Sequence, residues 1–287
     1  DDTLTLNASV FYYDYKNYQI SQIVDRTSIN LNFDATVKGA ELEANWEPVP
    51  GLRFNFSGGL EDSSVDDGQS AVDLMDRTAG HTDLVVVQPD VAATSNCILP
   101  AHAVAEIAAY DAQVQSIQIA NLPYACGAAY GNPAVAAAFG FSSIGDLGAP
   151  DFDPSTAPNN GAGFSKDLGG NKLPNTPPFT LSFGAQYSMP VSDSWAGTLR
   201  GDFYWQGNSF ARIFNDRPYD QLHGYTNLNF TLIFTNQDGW QAMAYVKNVL
   251  DTTAITGAFL NSDDSALTTN VFLTDPRLFG IRITKNW

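Results

Sequence analysis

Two cysteines, Cys97 and Cys126, and three histidines, His81, His102 and His223, are the thiol and imidazole groups of this chain. The cysteines fall in one irregular stretch with no further Cys or His at ligand spacing, so they read as a disulfide in an oxidising compartment; two free thiols are the other reading. The histidines are scattered, and no Ser, His and acid set assembles around any of them. Carboxylates in "DSSVDDG" at 62–68 offer oxygens to calcium, but their spacing departs from the twelve-residue calcium loop, and a solvated acidic loop reads the same way. The glycines of "GAGFSKDLGG" at 161–170 follow no strand and open no helix, which argues against a phosphate-cradling loop. No catalytic, cofactor-binding or metal-binding set is assigned.

The remaining polar residues sit in a pattern. Period-two alternation recurs along the chain, with an apolar and a polar face in each segment. Leu4, Leu6, Ala8, Val10 and Tyr12 oppose Thr5, Asn7 and Ser9; Ala40, Leu42, Ala44 and Trp46 oppose Glu41, Glu43 and Asn45; Leu52, Phe54 and Phe56 oppose Arg53, Asn55 and Ser57. The segments at 179–187, 195–206, 228–234, 240–247 and 279–287 repeat it, placing Arg200, Asp202, Lys247 and Arg282 on polar faces. About eight two-faced strands are expected.

Connections between these strands alternate in length. "EPVPG" at 47–51, "PVSDS" at 190–194 and "NQDG" at 236–239 are tight turns of Pro, Asp and Gly, while 16–35, 62–178, 209–224 and 250–275 read as long loops. Short turns at one end and long loops at the other are the habit of an antiparallel transmembrane β-barrel. Trp46, Trp195 and Trp240 flank the tight turns, and Trp287 closes a strand running to the same end. Trp205 lies ten residues along from Trp195, about 25 Å higher in a tilted strand, so the five tryptophans are expected to mark the two interfaces of an apolar band. A soluble sandwich also alternates but gives no reason to sort Trp to one end.

Bulk properties narrow the function. With 31 acidic and 14 basic residues the formal charge is -17, which argues against nucleic-acid partners and anionic surfaces. No run approaches the roughly 18 consecutive apolar residues of a spanning helix. The opening "DDTLTLNASV" has no signal-peptide pattern, so a removed signal or an upstream N-terminus is expected. Residues 61–178 hold 14 acidic residues against three basic ones, Arg77, Lys166 and Lys172. The Ala-rich 101–122 and "NPAVAAAFGF" at 132–141 read as short helices within that loop. Its acidity should disfavour anionic ligands, in a role of either substrate capture or a solvated surface shield.

"LNASVFYYDYKNYQ", "VKGAELEANWEPVPGLRFNFSGGL", "KLPNTPPFTLSFGAQY", "YVKNVLDTTA" and the terminal "DPRLFGIRITKNW" resemble the C-terminal barrel portion of TonB-dependent outer-membrane receptors. Asn248, Val249, Leu250 and Asp251 depart mildly from the family's Asn-Leu-Phe-Asp-like segment. The resemblance implies eight strands of a larger, 22-strand barrel over 1–287, with 62–178 as an extracellular insertion and the N-terminal plug absent. It implies Gram-negative outer-membrane residence and energy-coupled import of a bulky solute such as an iron chelate, cobalamin or carbohydrate. Phe279, Ile281, Ile283 and Trp287 would form the signal read by the barrel-assembly machinery, with Lys285 a departure. Glu41, Glu43, Arg53, Arg200, Asp202, Lys247 and Arg282 would face the lumen. Implied partners are lipid and lipopolysaccharide, the plug and remaining strands, and the TonB complex. A self-contained small barrel, serving as adhesin or anchor, is the alternative.

Overall fold

Alternation becomes geometry in one antiparallel sheet of eight strands, in which every strand lies beside its neighbour in sequence. The computed structural model describes residues 3–24, 27–88, 96–114, 125–126, 149, 151–262 and 265–287. The strands are β1 (Leu4–Val24), β2 (Thr27–Val49), β3 (Leu52–Val65), β4 (Phe179–Pro190), β5 (Trp195–Gln206), β6 (Tyr225–Asn236), β7 (Trp240–Lys247) and β8 (Leu278–Lys285). β1 and β8 each have a single strand neighbour, so the sheet is an open wall and not a closed barrel.

The three tight turns fall where expected. Gly51 and Gly239 take the positive φ their turns require, 83° and 85°, a conformation closed to most side chains. At the other end the expectation of a loop over 16–35 fails: β1 and β2 run 21 and 23 residues and stay paired up to Val24 and Thr27. A transmembrane strand needs only about 9–11 residues, so this hairpin rises well beyond any bilayer. The sequence hides it because Asn17 adopts a φ of 59° at a register shift between Tyr15 and Tyr18, which breaks the period-two pattern in mid-strand. β3 likewise continues to Val65, which moves the start of the long loop from 62 to 66. β8 stops at Lys285, leaving Asn286 and Trp287 beyond the strand that was expected to include them.

The loop end carries a cap with its own packing. Short antiparallel strand pairs, Ser70–Val72 with Ser165–Asp167, Leu84–Val87 with Cys97–Pro100, Ser209–Phe210 with Gln221–Leu222, and Ile255–Leu260 with Thr269–Leu273, build it. Helix α1 (Ala101–Val114) covers the first part of the helix expected at 101–122; the rest, and the helix expected at 132–141, lie outside the described residues. Ala103 and Ile107, four residues apart and therefore on one helix face, are fully buried. They pack with Val87, Leu99, Ala125, Ala149, Phe152 and the disulfide Cys97–Cys126, whose Cα atoms are 5.5 Å apart. A second core joins β1, β2 and β3 to the loops through Phe33, Ala35, Val65, Leu168, Leu173 and Ile213.

Candidate functional site

Cross-strand register places the polar residues of all eight strands on one face. Arg53 stands opposite Gln186, Gln186 opposite Arg200, and Arg200 opposite Thr231; Glu43 stands opposite Asn7 and Ser57. Asp202 faces Gly184 and Asn229, while Lys247 and Arg282 share the face through Tyr245 and Gly280. All seven residues expected to face a lumen therefore lie on the same side of the sheet.

Near the middle of that face Arg200 is gripped by Asp202, with Nε donating to Oδ2 at 2.9 Å and Nη2 to Oδ1 at 2.5 Å. Its Nη1 donates to Asn55 Oδ1 at 3.2 Å. The planar guanidinium suits this forked geometry, which Lys could not reproduce. Gly184 makes room for it, because a Cβ there would stand 2.8 Å from Arg200 Nη2. Glu43, Asn45, Ser57, Tyr204 and Asn229 complete a recess of about 410 Å³ around the pair. Arg53 is tied to Glu47 at 3.3 Å, and Glu41 accepts from Ser9 Oγ at the same distance.

The opposite face is apolar and bare. Val10 is 86 % exposed, Leu199 56 % and Ile281 79 %. Trp46, Trp195 and Trp240 lie at the tight-turn end, and Asn286 N donates to Gly239 O at 2.9 Å, which keeps Trp287 at that end too. The Lys285 ammonium lies 5.4 Å from the Trp240 ring centre and 5.5 Å from that of Trp287. A cation between two ring faces has a physical place on this edge, so Lys285 is less of an anomaly than its position in the alternation suggests. Trp205 lies at the far end of β5, its ring 4.3 Å from that of Phe179.

Above the polar face a buried ion network clamps two loops together. Arg212 Nη1 donates to Asp73 Oδ1 and Arg212 Nε to Asp220 Oδ1, both at 2.7 Å, and both carboxylates are buried. Lys166 reaches Asp73 at 3.3 Å, Asp76 at 2.9 Å and Asp216 at 3.0 Å. Burial opposes the Asp73 charge, yet the hydrogen bond and charge of Arg212, with Lys166 nearby, hold its carboxyl below the usual range. For Asp220 burial wins, and its carboxyl is pushed up. Burial also opposes the charge of Lys166, but the carboxylates of Asp76 and Asp216 raise it well above the ordinary lysine range.

The sequence reading did not single out Asp73, Arg212 or Asp220. A signal existed: a loop with three cations among 14 acids must pair those cations, and Arg77, Lys166 and Lys172 are each engaged. Two of the three "DSSVDDG" carboxylates are engaged as well, Asp62 with Lys38 and Lys172, and Asp66 with Thr36 Oγ1 at 3.0 Å and Lys16 at 3.6 Å. "NVLD" proves to be a clip for the last loop. Asn248, buried and at a φ of 48°, donates from Nδ2 to Thr252 O and Asp275 O, and Asp251 Oδ1 accepts from Arg277 N, so both ends of the loop are held together.

Solved structures share this fold. The ferric yersiniabactin uptake receptor FyuA from Yersinia pestis matches with a TM-score of 0.54 at 14% identity, over 98% of this chain and 27% of that one. The siderophore receptor PiuA from Acinetobacter baumannii matches with a TM-score of 0.50 at 12% identity, over 98% and 25%. The chain thus spans about a quarter of the receptors it resembles. No individual curated protein sequence matches it. The family model described as TonB dependent receptor-like, beta-barrel, matches residues 1–94 and 117–249. On that match, and on the two-faced eight-strand wall, this chain belongs to the TonB-dependent receptor β-barrel family of the Gram-negative outer membrane.

Proposed function

We propose that the chain is part of the barrel wall of a nutrient-uptake receptor that imports a bulky solute by energy coupling through the TonB complex. The observation that carries this reading is the continuous polar face, centred on Arg200 and Asp202, lying directly beneath a cap built from the long connections. In this reading the polar face lines the transport path against an N-terminal plug, and further strands pair with the free edges of β1 and β8. The exposed apolar face meets lipid, the tryptophans form its two girdles, and Phe279, Ile281, Ile283 and Trp287 guide barrel assembly. One matched receptor takes up ferric yersiniabactin and the other is a siderophore receptor, which favours an iron chelate over cobalamin or carbohydrate. The eight strands do not meet edge to edge, which favours a larger barrel over a self-contained small one.

The test is uptake in cells carrying the full-length receptor. Iron-limited cells are given radiolabelled ferric chelates, labelled cobalamin or labelled oligosaccharide, with the receptor or TonB deleted in turn. The reading expects both deletions to abolish uptake of the same chelate. Uptake of every solute unchanged by the receptor deletion contradicts it.

A further inference from the structure

Four connections converge on one apolar cavity of about 230 Å³ in the cap. Ile20 and Leu31 enter from the β1–β2 hairpin, Leu74 from the long loop, Ile213 and Phe214 from 207–224, and Phe259 from the strand Ile255–Leu260. Three of these walls form a single unit. Arg212 bonds to Asp73, and Asn171 Nδ2 donates to Ile213 O at 3.0 Å and Phe214 O at 3.2 Å. Phe33, Ala35, Leu168, Leu173 and Ile213 then pack the hairpin and both loops into one core. The fourth wall is built differently. Its hairpin bonds strand to strand from Leu260 and Thr269 down to Ile255 and Leu273, and the Asn248 clip holds it at its base.

The chemistry of the lining selects an occupant. A cavity of about 150 Å³ lined by Leu, Ile and Phe stays dry and takes up benzene, so this larger one has room for a substituted ring. Arg212 lines it, but its guanidinium is matched by the two buried carboxylates of Asp73 and Asp220 and offers no surplus charge to an anion. Phe214, with Arg212 over one of its faces, turns a ring toward a lining made largely by aliphatic Ile20, Leu31 and Leu260, which suits an aromatic guest. Gln22, on the same face of β1 as Ile20, brings an amide to this lining, suited to one hydroxyl or amide on that ring.

We propose that this cavity is a binding subsite for a neutral, single-ring aryl group bearing a hydrogen-bonding substituent. As a subsite for cargo it rests on the uptake reading; as a binding site it stands alone. The full-length receptor in nanodiscs is titrated with 4-fluorobenzyl alcohol and binding is read by fluorine NMR line broadening. Saturable binding is expected. Ala258→Trp fills the cavity from the Ile255–Leu260 strand and Ala211→Trp from the 207–224 loop, and each should weaken binding about tenfold or more. Asp193→Asn, in a tight turn at the far end, should leave it unchanged. Both Trp variants are first checked for wild-type hydrogen-exchange protection across 66–88 and 207–224, so that a misfolded cap is not mistaken for a filled cavity. No saturable binding to the wild type overturns the proposal, as does binding that survives both fillings. Failed binding beside intact TonB-dependent uptake removes the subsite alone, whereas binding without uptake removes the receptor reading alone.

Discussion

The outward face of β8 and the cap strand Cys97–Pro100 are both apolar, yet the molecule treats them oppositely. Phe279, Ile281 and Ile283 leave 76%, 79% and 68% of their surface open, whereas Ile98 and Leu99 are completely buried. The cap surrounds its apolar residues with helix α1 and the disulfide-linked segment, as a water-soluble unit must. Among the described residues the sheet gives its own no protein partner, an arrangement suited to hydrocarbon and not to water. Hydrophobicity alone therefore does not say where a residue lies; the second solvent does. The same contrast holds for charge. Arg200 and Asp202 meet on a part-buried but open face, while Asp73 and Asp220 are sealed around Arg212.

The largest break expected is in the cap. Arg212→Ala strands two buried carboxylates, which costs about 3–5 kcal/mol for a buried pair. Hydrogen exchange should then rise across 66–88 and 207–224 while the barrel keeps its heat-modifiable migration. Acid should reach the same open state by titration. Asp73 has its carboxyl lowered in the folded cap, so its stabilisation is present above the ordinary carboxylate range and is lost as pH falls through its depressed value. Asp220, raised by burial, takes its proton first, and protonation there relieves a burial cost. Protection in the cap should therefore persist through mild acidification and fail only below about pH 4, the ordinary aspartate value. Loss near neutrality would contradict this order.

Removing the disulfide by the paired Cys97→Ser and Cys126→Ser changes comes next. Its sequence separation of 29 predicts a loss of roughly 3 to 4 kcal/mol in the chain-entropy model, confined to the core around α1. Limited proteolysis should cut within 84–152 and spare β1–β8. On the sheet, Ile281→Arg places a charge on the bare face and should cost about 2–4 kcal/mol if it lies near the bilayer midplane. Its sequence neighbour Arg282→Ala, on the polar face, should change stability by no more than about 0.5 kcal/mol. Unfolding of the full-length receptor in liposomes compares the two, and equal costs would erase the distinction between the faces.

Legibility followed the same division. All eight strands expected from the sequence are present and differ only at their boundaries, because an apolar row and a polar row enforce period two residue by residue. The upper β1–β2 hairpin was missed because its residues pack against the cap core and the shift at Asn17 reverses their phase. The Asp73–Arg212 contact spans 139 positions, so no local spacing encodes it. The polar face was legible residue by residue, from Glu41 to Arg282, and Arg200 and Asp202 stand two apart on one strand, but the space at Gly184 and the bond to Asn55 that seat the pair depend on register across three strands. The clip at Asn248 showed in the sequence as a family-like segment without a visible reason; its bonds to Thr252 and Asp275 supply one.

The central claim is that a single alternation separates lipid from lumen along each strand, and spin labels placed one at a time from 278 to 285 in the full-length receptor, reconstituted in liposomes, test it most directly. Accessibility to oxygen, which concentrates in lipid, and to a water-soluble nickel chelate should oscillate with period two and opposite phase. Oxygen should reach labels at Phe279, Ile281 and Ile283, while labels at Gly280 and Arg282 should be shielded from it. Nickel access at both Ile281 and Arg282, or oxygen access without oscillation, would contradict the account.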